Sequence, residues 1–142
     1  MTLNLTEIKN ILPHREPMLM VDSVSDLQPG KSVVAEKYIS PDWDILRGHF
    51  PENPITPGVY LAEAMAQAAD LVLLTIPGNE GKTPLFLSMS RMRFMRPVLP
   101  GSTIELIADI KDDLGDGVYE CICSAYDEGS KVASGQVTIA LR

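Results

Sequence analysis

The sequence has 142 residues, of which 45% are hydrophobic and 22% charged, a composition typical of a globular protein that buries its own core. We predict a single domain over residues 1–142. The net charge of −7 argues against a nucleic-acid partner, because proteins that bind phosphates present a basic surface. Two histidines and two cysteines do not make a plausible zinc site, and we expect neither a metal nor a cofactor.

The first residues and the longest apolar stretch bear on where the protein acts. The opening MTLNL lacks the basic start and long apolar run of an export signal, so we expect a cytoplasmic protein with reduced cysteines. Residues 59–76 form the longest apolar stretch, but Glu63, Gln67 and Asp70 interrupt it. This pattern predicts a core helix and no membrane span.

In the first third of the chain, turn residues and the alternation of apolar and polar residues predict several short helices and strands. Thr6 opens a short predicted helix that ends before Pro13. Residues 18–27 are rich in apolar side chains and predict a strand, which a Gln-Pro-Gly turn closes. Residues 32–39 alternate and predict the partner strand of a hairpin, and residues 41–46 indicate a helical turn.

Residues 48–67, GHFPENPITPGVYLAEAMAQ, are the most informative stretch of the chain. The prolines that follow His49 recur at every third residue, as in polyproline II, and predict a stiff, extended loop. Thr56 is a candidate cap for the helix that comes next, and Pro57 suits its first position. Taken alone, His49 is more typical of a structural or surface residue than of a catalyst.

The helix after this loop is apolar almost all round, as buried helices are. Its polar exceptions are Glu63, Gln67 and Asp70, and steps of four and three residues place them on one stripe. A carboxylate in a buried helix is costly unless it is paired or functional. Two interpretations are open: Glu63 and Gln67 bond each other or a loop, or Glu63 works as an acid beside His49.

The beginning of this helix supplies a third chemical element. Backbone N–H groups there have no intrahelical partner and lie at the positive end of the helix dipole. Gly58 has no side chain, so a ligand oxygen can come close to those donors. A base, an acid and a donor for a carbonyl oxygen are therefore encoded within one short stretch.

The second half of the chain predicts strands over residues 84–89, with residues 93–97 as a candidate continuation, and over residues 103–112, 118–127 and 131–141. Gly-containing turns separate the last three, and Cys121 and Cys123 alternate so that they share a face. One long buried helix with about six antiparallel strands indicates an α+β fold in which the sheet wraps around the helix.

Three motifs together resemble one enzyme family. The central stretch matches GHFPxxPxxPGVxxxEAMAQ, the signature of the FabZ-type 3-hydroxyacyl-[acyl-carrier-protein] dehydratases. LPHREPMLMVD at residues 12–22 is similar to the family's LPHRxPxLxVD, and RFMRPVLPG at residues 93–101 is similar to its RFxRPVxPG. The resemblance covers nearly the whole chain and implies the hot-dog fold.

The resemblance implies a reaction and a role for each matching residue. The substrate would be a 3-hydroxyacyl thioester on acyl carrier protein, which loses water to give a trans-2-enoyl thioester in fatty-acid or related acyl biosynthesis. His49 matches the base that removes the proton next to the thioester carbonyl, and Glu63 matches the acid that assists departure of the hydroxyl. Gly58, Val59 and Gln67 match substrate-binding positions, with the Gly58 N–H donating to the thioester carbonyl.

The family also implies partners. Its members form homodimers in which the histidine and the glutamate come from different subunits, and the dimers often gather into trimers of dimers. Acyl carrier proteins are acidic, so an acidic enzyme needs a local basic patch to bind one. The candidates are Arg91, Arg93 and Arg96, with Lys82 and Arg15 as further candidates; the alternative is a solvated strand face.

Several positions depart from the family pattern. Asp70 stands where glycine is common, Met95 replaces a frequent lysine, and Ser102 replaces a frequent aspartate. A carboxylate at position 70 would shorten or polarise an acyl tunnel or pair with an arginine, so these changes are typical of a specialised homologue. His14 and Arg15 match the family, and we expect structural hydrogen bonds from both.

Three other functions fit the same fold. A dehydratase that also isomerises the double bond usually carries aspartate in place of Glu63. A thioesterase needs a carboxylate that activates water but has no need of His49. A non-catalytic acyl-binding subunit would not need the intact set of histidine, glycine, glutamate and glutamine.

Overall fold

The computed structural model describes all residues from Met1 to Arg142. Six strands form one antiparallel sheet in the order β1-β2-β4-β5-β6-β3, and the long helix α3 packs against it. The elements are α1 (Leu5–Ile11), β1 (Ser23–Gln28), β2 (Ser32–Tyr38), α2 (Ile45–Gly48), α3 (Gly58–Leu74), β3 (Pro84–Phe94), β4 (Thr103–Gly115), β5 (Val118–Asp127) and β6 (Ser130–Leu141). The α+β architecture predicted from the sequence is confirmed.

The core lies between α3 and the face of the sheet that α3 covers. Thirteen of the 17 residues of α3 are buried, and the alternating residues Ile104, Leu106 and Ala108 of β4 are buried against it. Burial of these apolar side chains, at about 25 cal/mol per Å², is the main stabilising contribution to the fold. No helix combines the length and apolarity that crossing a bilayer requires.

The turns between the last strands use the residues that tight hairpins demand. Asp116 and Gly117 have φ of 56° and 72°, and Glu128 and Gly129 have φ of 50° and 79°. Two successive positive φ values are the mark of a type I′ turn, whose twist matches that of antiparallel strands. The register of β4, β5 and β6 follows from these two turns, as the sequence predicted.

The predicted strand over residues 18–27 is wrong in its first half, because the strand begins only at Ser23. Met18 and Met20 instead bond a side chain of α3: the Gln67 amide nitrogen donates to the Met18 carbonyl at 2.9 Å, and the Met20 N–H donates to the Gln67 amide oxygen at 2.7 Å. These bonds satisfy the buried backbone as a neighbouring strand would, and they tie the segment before β1 to α3.

The loop before α3 differs from the prediction in two ways. It is not extended throughout, because the Asn53 N–H donates to the Phe50 carbonyl at 2.8 Å and closes a turn over the first proline. Thr56 does not cap α3: Pro57 occupies the cap position, and the Thr56 hydroxyl is buried without a hydrogen-bond partner. The Thr56 N–H donates to the Val98 carbonyl oxygen, and this bond holds Thr56 one residue before the cap position of α3.

Strand β3 forms an edge of the sheet and carries an unusual apolar surface. It pairs only with β6, so its other side presents unpaired backbone groups. Exposed apolar side chains occur at Leu85, Phe86, Leu87, Met89 and Phe94. A long apolar edge strand of this kind is a site for association with another chain.

Replacing Gln67 with leucine should lower the free energy of unfolding by about 1–3 kcal/mol, because two buried backbone groups lose their partners. Urea unfolding followed by circular dichroism measures the change. Gln28→Leu is the control, since Gln28 is exposed at the end of β1. Equal stability of the two variants would show that the amide does not anchor the segment.

Candidate active site

His49 lies at the end of α2 and lines a pocket of about 410 Å³ together with Gly58 and Phe94. Its Nδ1 lies 2.9 Å from the Ile55 carbonyl oxygen. Because a carbonyl oxygen only accepts hydrogen bonds, Nδ1 must carry the proton, and the neutral ring keeps an unprotonated Nε2. The loop therefore fixes the tautomer in which Nε2 can take a proton.

Gly58 is the first residue of α3, so its N–H has no acceptor within the helix. A side-chain carbon added at this position would lie 3.2 Å from three atoms of the Phe94 ring. Gly58 is thus required by a close approach of β3 to the start of the helix. The structure brings His49 and the Gly58 backbone to the same pocket, as the sequence predicted.

Glu63 lies on α3 beside a different concavity, of about 250 Å³, lined by Met18, Val59 and Tyr60. Val59 is 67% exposed at its mouth, although the sequence pattern predicted a buried helix at this point. His49 is absent from this lining. A single chain therefore does not bring His49 and Glu63 together.

The Gln67 side chain connects Glu63 to the body of the protein. Its amide nitrogen donates to Glu63 Oε2 at 2.8 Å and to the Met18 carbonyl. Gln67 is completely buried and satisfied by protein groups on both of its polar atoms. Of the interpretations drawn from the sequence, the bonding of Gln67 to both Glu63 and a loop is observed.

His14 is a member of this cluster that sequence reasoning assigned only a structural role. Its Nε2 lies 3.8 Å from Glu63 Oε2 and 4.0 Å from Asp70 Oδ2, while Nδ1 is buried without a partner. The expected structural hydrogen bonds are absent for His14 but present for Arg15, which donates to three backbone carbonyls. The signals in the sequence were the match of His14 to the family's LPHR motif and the presence of only two histidines in the chain.

The protonation equilibria of this cluster are shifted by burial. Asp70 is only 5% exposed, and desolvation together with the nearby Glu63 charge raises the pKa of its carboxyl well above the usual value. Desolvation also lowers the pKa of His14, against a raising effect of Glu63. Within one chain the neighbour of Asp70 is His14, whereas the predicted arginine partner would lie at an interface between subunits.

The three candidate docking arginines are exposed at the end of β3 and just beyond it. Arg91 and Arg93 lie on the strand, and Arg96 lines the His49 pocket. None of the three has a carboxylate within 4.0 Å. Their positive charge is therefore directed to solvent and not consumed in internal ion pairs.

The cysteines do not contribute reactive groups. Cys121 and Cys123 share the buried face of β5, as predicted, and both are free thiols. Burial raises the pKa of Cys121 to about 12, so the thiolate is not formed near neutral pH. No cluster of three His, Cys, Asp or Glu side chains is arranged to hold a metal ion.

Comparison with known proteins finds relatives that match nearly the whole chain and carry the same name. The FabA-like domain family matches residues 12–136. A protein of Ruminiclostridium cellulolyticum, named 3-hydroxyacyl-[acyl-carrier-protein] dehydratase FabZ, is 41% identical over 135 residues, which span 95% of this chain and 94% of the relative. A protein of Enterococcus faecalis with the same name is 38% identical and spans 99% of both chains.

Solved structures with low sequence identity share the fold. The dehydratase heterocomplex ApeI:P of Xenorhabdus doucetiae superposes with a TM-score of 0.81 at 16% identity, covering 95% of this chain and 90% of that chain. A hypothetical thioesterase of Streptococcus pneumoniae superposes with a TM-score of 0.65 at 12% identity, covering 84% of each chain. The predicted hot-dog fold is thus confirmed, and the chain belongs to the FabZ-type 3-hydroxyacyl-[acyl-carrier-protein] dehydratases of the FabA-like family.

Proposed function

We propose that the chain, as one domain over residues 1–142, removes water from 3-hydroxyacyl thioesters carried on acyl carrier protein in fatty-acid biosynthesis. The product is the trans-2-enoyl thioester. The observation that carries the proposal is the hydrogen bond from His49 Nδ1–H to the Ile55 carbonyl oxygen. This bond leaves Nε2 unprotonated, so that Nε2 can accept a proton as a base. This ring shares a pocket with the first N–H of α3, at Gly58.

His49 and Gly58 act on the same end of the substrate. When Nε2 takes the proton next to the thioester carbonyl, negative charge develops on the carbonyl oxygen. The Gly58 N–H and the positive end of the helix dipole stabilise that charge where it forms. Gly58 has no side chain beside this donor, and the Phe94 ring lies next to the position that a side-chain carbon would take.

Glu63 acts on the other end, at the 3-hydroxyl group. Its carboxyl group donates a proton to the hydroxyl, which leaves as water while the double bond forms. Gln67 holds one Glu63 oxygen through a 2.8 Å hydrogen bond and thereby orients the acid. One proton is removed from carbon 2 and one is delivered to the oxygen of the 3-hydroxyl group as the bond from carbon 3 to that oxygen breaks, so the reaction consumes no net proton.

A homodimer supplies the missing contact between these groups. Within one chain His49 and Glu63 line separate concavities, and the apolar edge strand β3 and the exposed Val59 have no covering partner. Pairing of two β3 edges would bury this surface and place the His49 pocket of one subunit beside the Glu63 concavity of its partner. We extend the proposal to a trimer of such dimers, as in the family.

The acyl carrier protein docks on the arginines near the His49 pocket. Arg91, Arg93 and Arg96 form a local positive patch on a protein of net charge −7. Such a patch attracts an acidic partner despite the overall repulsion. The patch lacks the lysine that the family often has at Met95. The two free cysteines support a cytoplasmic location for this encounter.

His49→Ala and Glu63→Gln should each lower kcat by at least about 10²-fold, because each removes one of the two groups that move a proton. The measurement is formation of the enoyl thioester from 3-hydroxyacyl carrier protein. Glu52→Gln is the matched control, since Glu52 is an exposed carboxylate on the same loop as His49. Unchanged circular dichroism excludes unfolding, and full turnover in either variant removes that residue from the mechanism. Release of free acid instead of enoyl product would indicate a thioesterase.

Mixing the two inactive variants tests whether the site spans two subunits. If His49 and Glu63 come from different chains, a dimer of His49→Ala with Glu63→Gln contains one intact site and one doubly altered site. Random exchange of equal amounts should then restore about a quarter of the wild-type activity. A single-chain site predicts no recovery after exchange, and light scattering at each step establishes which assemblies are present.

Arg93→Glu should raise KM for substrate on acyl carrier protein by about tenfold, because it reverses one charge of the docking patch. KM for the same acyl group on a short pantetheine thioester should stay unchanged, since that substrate lacks the acidic protein. Lys131→Glu is the control, because Lys131 is an exposed cation on β6 outside the patch. Equal effects on both substrates would show that Arg93 acts on the site itself.

A further inference from the structure

One side of α3 carries two carboxyl groups that face the same imidazole ring. Asp70 lies seven positions after Glu63, which is two turns along one face of the helix. His14 reaches this face from the segment that follows α1, and its Nε2 lies 3.8 Å from Glu63 Oε2 and 4.0 Å from Asp70 Oδ2. A single ring nitrogen is therefore positioned between an acid that the reaction uses and an acid that it does not.

The surroundings of this cluster provide no cation to neutralise a second negative charge. Apart from His14, no basic side chain lies within 4.0 Å of Glu63 or Asp70. Arg15 faces His14, but its guanidinium is occupied by the carbonyls of Lys9, Leu12 and His14. Glu63 is the charge that acts on Asp70, and desolvation together with the charge of Asp70 in turn raises the pKa of the Cys121 and Cys123 thiols on β5.

Two polar atoms in the cluster are buried without a partner. They are Asp70 Oδ1 and His14 Nδ1. An ionised carboxylate with an unpaired oxygen in such a place would be strongly destabilised, whereas a neutral carboxylic acid needs fewer bonds. When two carboxyl groups lie close together in a dry site, the pair keeps one proton to a higher pH than either group alone.

We propose that Glu63 and Asp70 share one proton through His14 Nε2, so that Asp70 is a positioning residue that keeps Glu63 supplied with the proton it delivers. The inference rests on the proposed dehydratase function. Asp70 gives its proton to Nε2, and the ring then passes that proton from Nε2 to the Glu63 carboxylate. The ring begins with its own proton on Nδ1, so Nε2 is free to accept the proton of Asp70. One proton moves from Asp70 to Glu63, Glu63 gives it to the leaving hydroxyl, and a proton from solvent returns to Asp70 before the next turnover.

The burial of both partners supports this assignment. Desolvation and the charge of Glu63 raise the pKa of Asp70, so its carboxyl holds a proton to higher pH than a free aspartate does. Desolvation lowers the pKa of His14 against a raising effect of Glu63, which favours the neutral ring before the transfer. The structure thus explains why a carboxyl group occupies a position where the family commonly has glycine.

The first test compares the pH dependence of kcat in wild type and Asp70→Asn. The amide keeps the shape of the side chain but cannot hold a shared proton, so the alkaline limb should move to lower pH by about one unit. KM should change little, because Asp70 does not contact the substrate. Asp112→Asn is the control, since Asp112 is exposed on β4, and its profile should match the wild type.

A double-mutant cycle tests the role of His14. In a His14→Gln background the further change Asp70→Asn should give a clearly smaller shift of the alkaline limb, because the connecting nitrogen is gone. An equal shift in both backgrounds would mean that Asp70 acts on Glu63 without His14. No shift in either background would overturn the proposal.

A second measurement does not depend on activity. Infrared spectra of protein labelled with ¹³C-aspartate should show a protonated carboxyl at neutral pH that is lost in Asp70→Asn, and its absence from wild type would overturn the shared proton. Because the pKa of Asp70 is raised in the folded state, wild type should lose stability relative to Asp70→Asn as pH rises above about 4. A wild-type chain that is inactive on every carrier-bound substrate contradicts the dehydratase function, while the infrared result still decides the protonation of Asp70.

Discussion

The hydrogen bonds of the Gln67 amide are the interaction on which the geometry around Glu63, the proposed acid, depends. The amide oxygen accepts from the Met20 N–H and the nitrogen donates to the Met18 carbonyl, so the amide cannot turn over without losing both bonds. Its remaining N–H must therefore be directed at Glu63. One buried side chain thus fixes the path of the segment before β1, the position of the acid and the approach of His14 to α3.

His49, the proposed base, is also oriented by a hydrogen bond with the protein backbone. His49 is held through a backbone carbonyl of its own loop, at Ile55, and this single bond selects the tautomer. The two halves of the proposed site are independent of each other within one chain, because no hydrogen bond or ion pair connects His49 with the cluster around Glu63. Each half is held by hydrogen bonds within its own chain, so the proposed site between two subunits would need little rearrangement on assembly.

Much of this arrangement could be predicted from sequence because it depends on local patterns. The alternation of β4, the Asp116–Gly117 turn and the apolar length of α3 all follow from short-range rules, and they are found where expected. The strand wrongly predicted over residues 18–22 is an error that arises because a side chain replaces a backbone partner. The amide of Gln67 takes the place of a strand beside residues 18–22, and no periodicity in those residues reveals a partner 47 positions away.

Asp70 lowers the stability of the fold locally, and its proposed part in proton transfer accounts for this cost. At this position on a buried helix an ionised carboxylate lowers stability, and the core around it is otherwise apolar. The cost is limited when the group stays neutral, and the charge of Glu63 together with burial keeps it so. Sequences depart from local consistency mainly where chemistry requires it. The proposed proton transfer through His14 gives the carboxyl group at this position a role beyond packing.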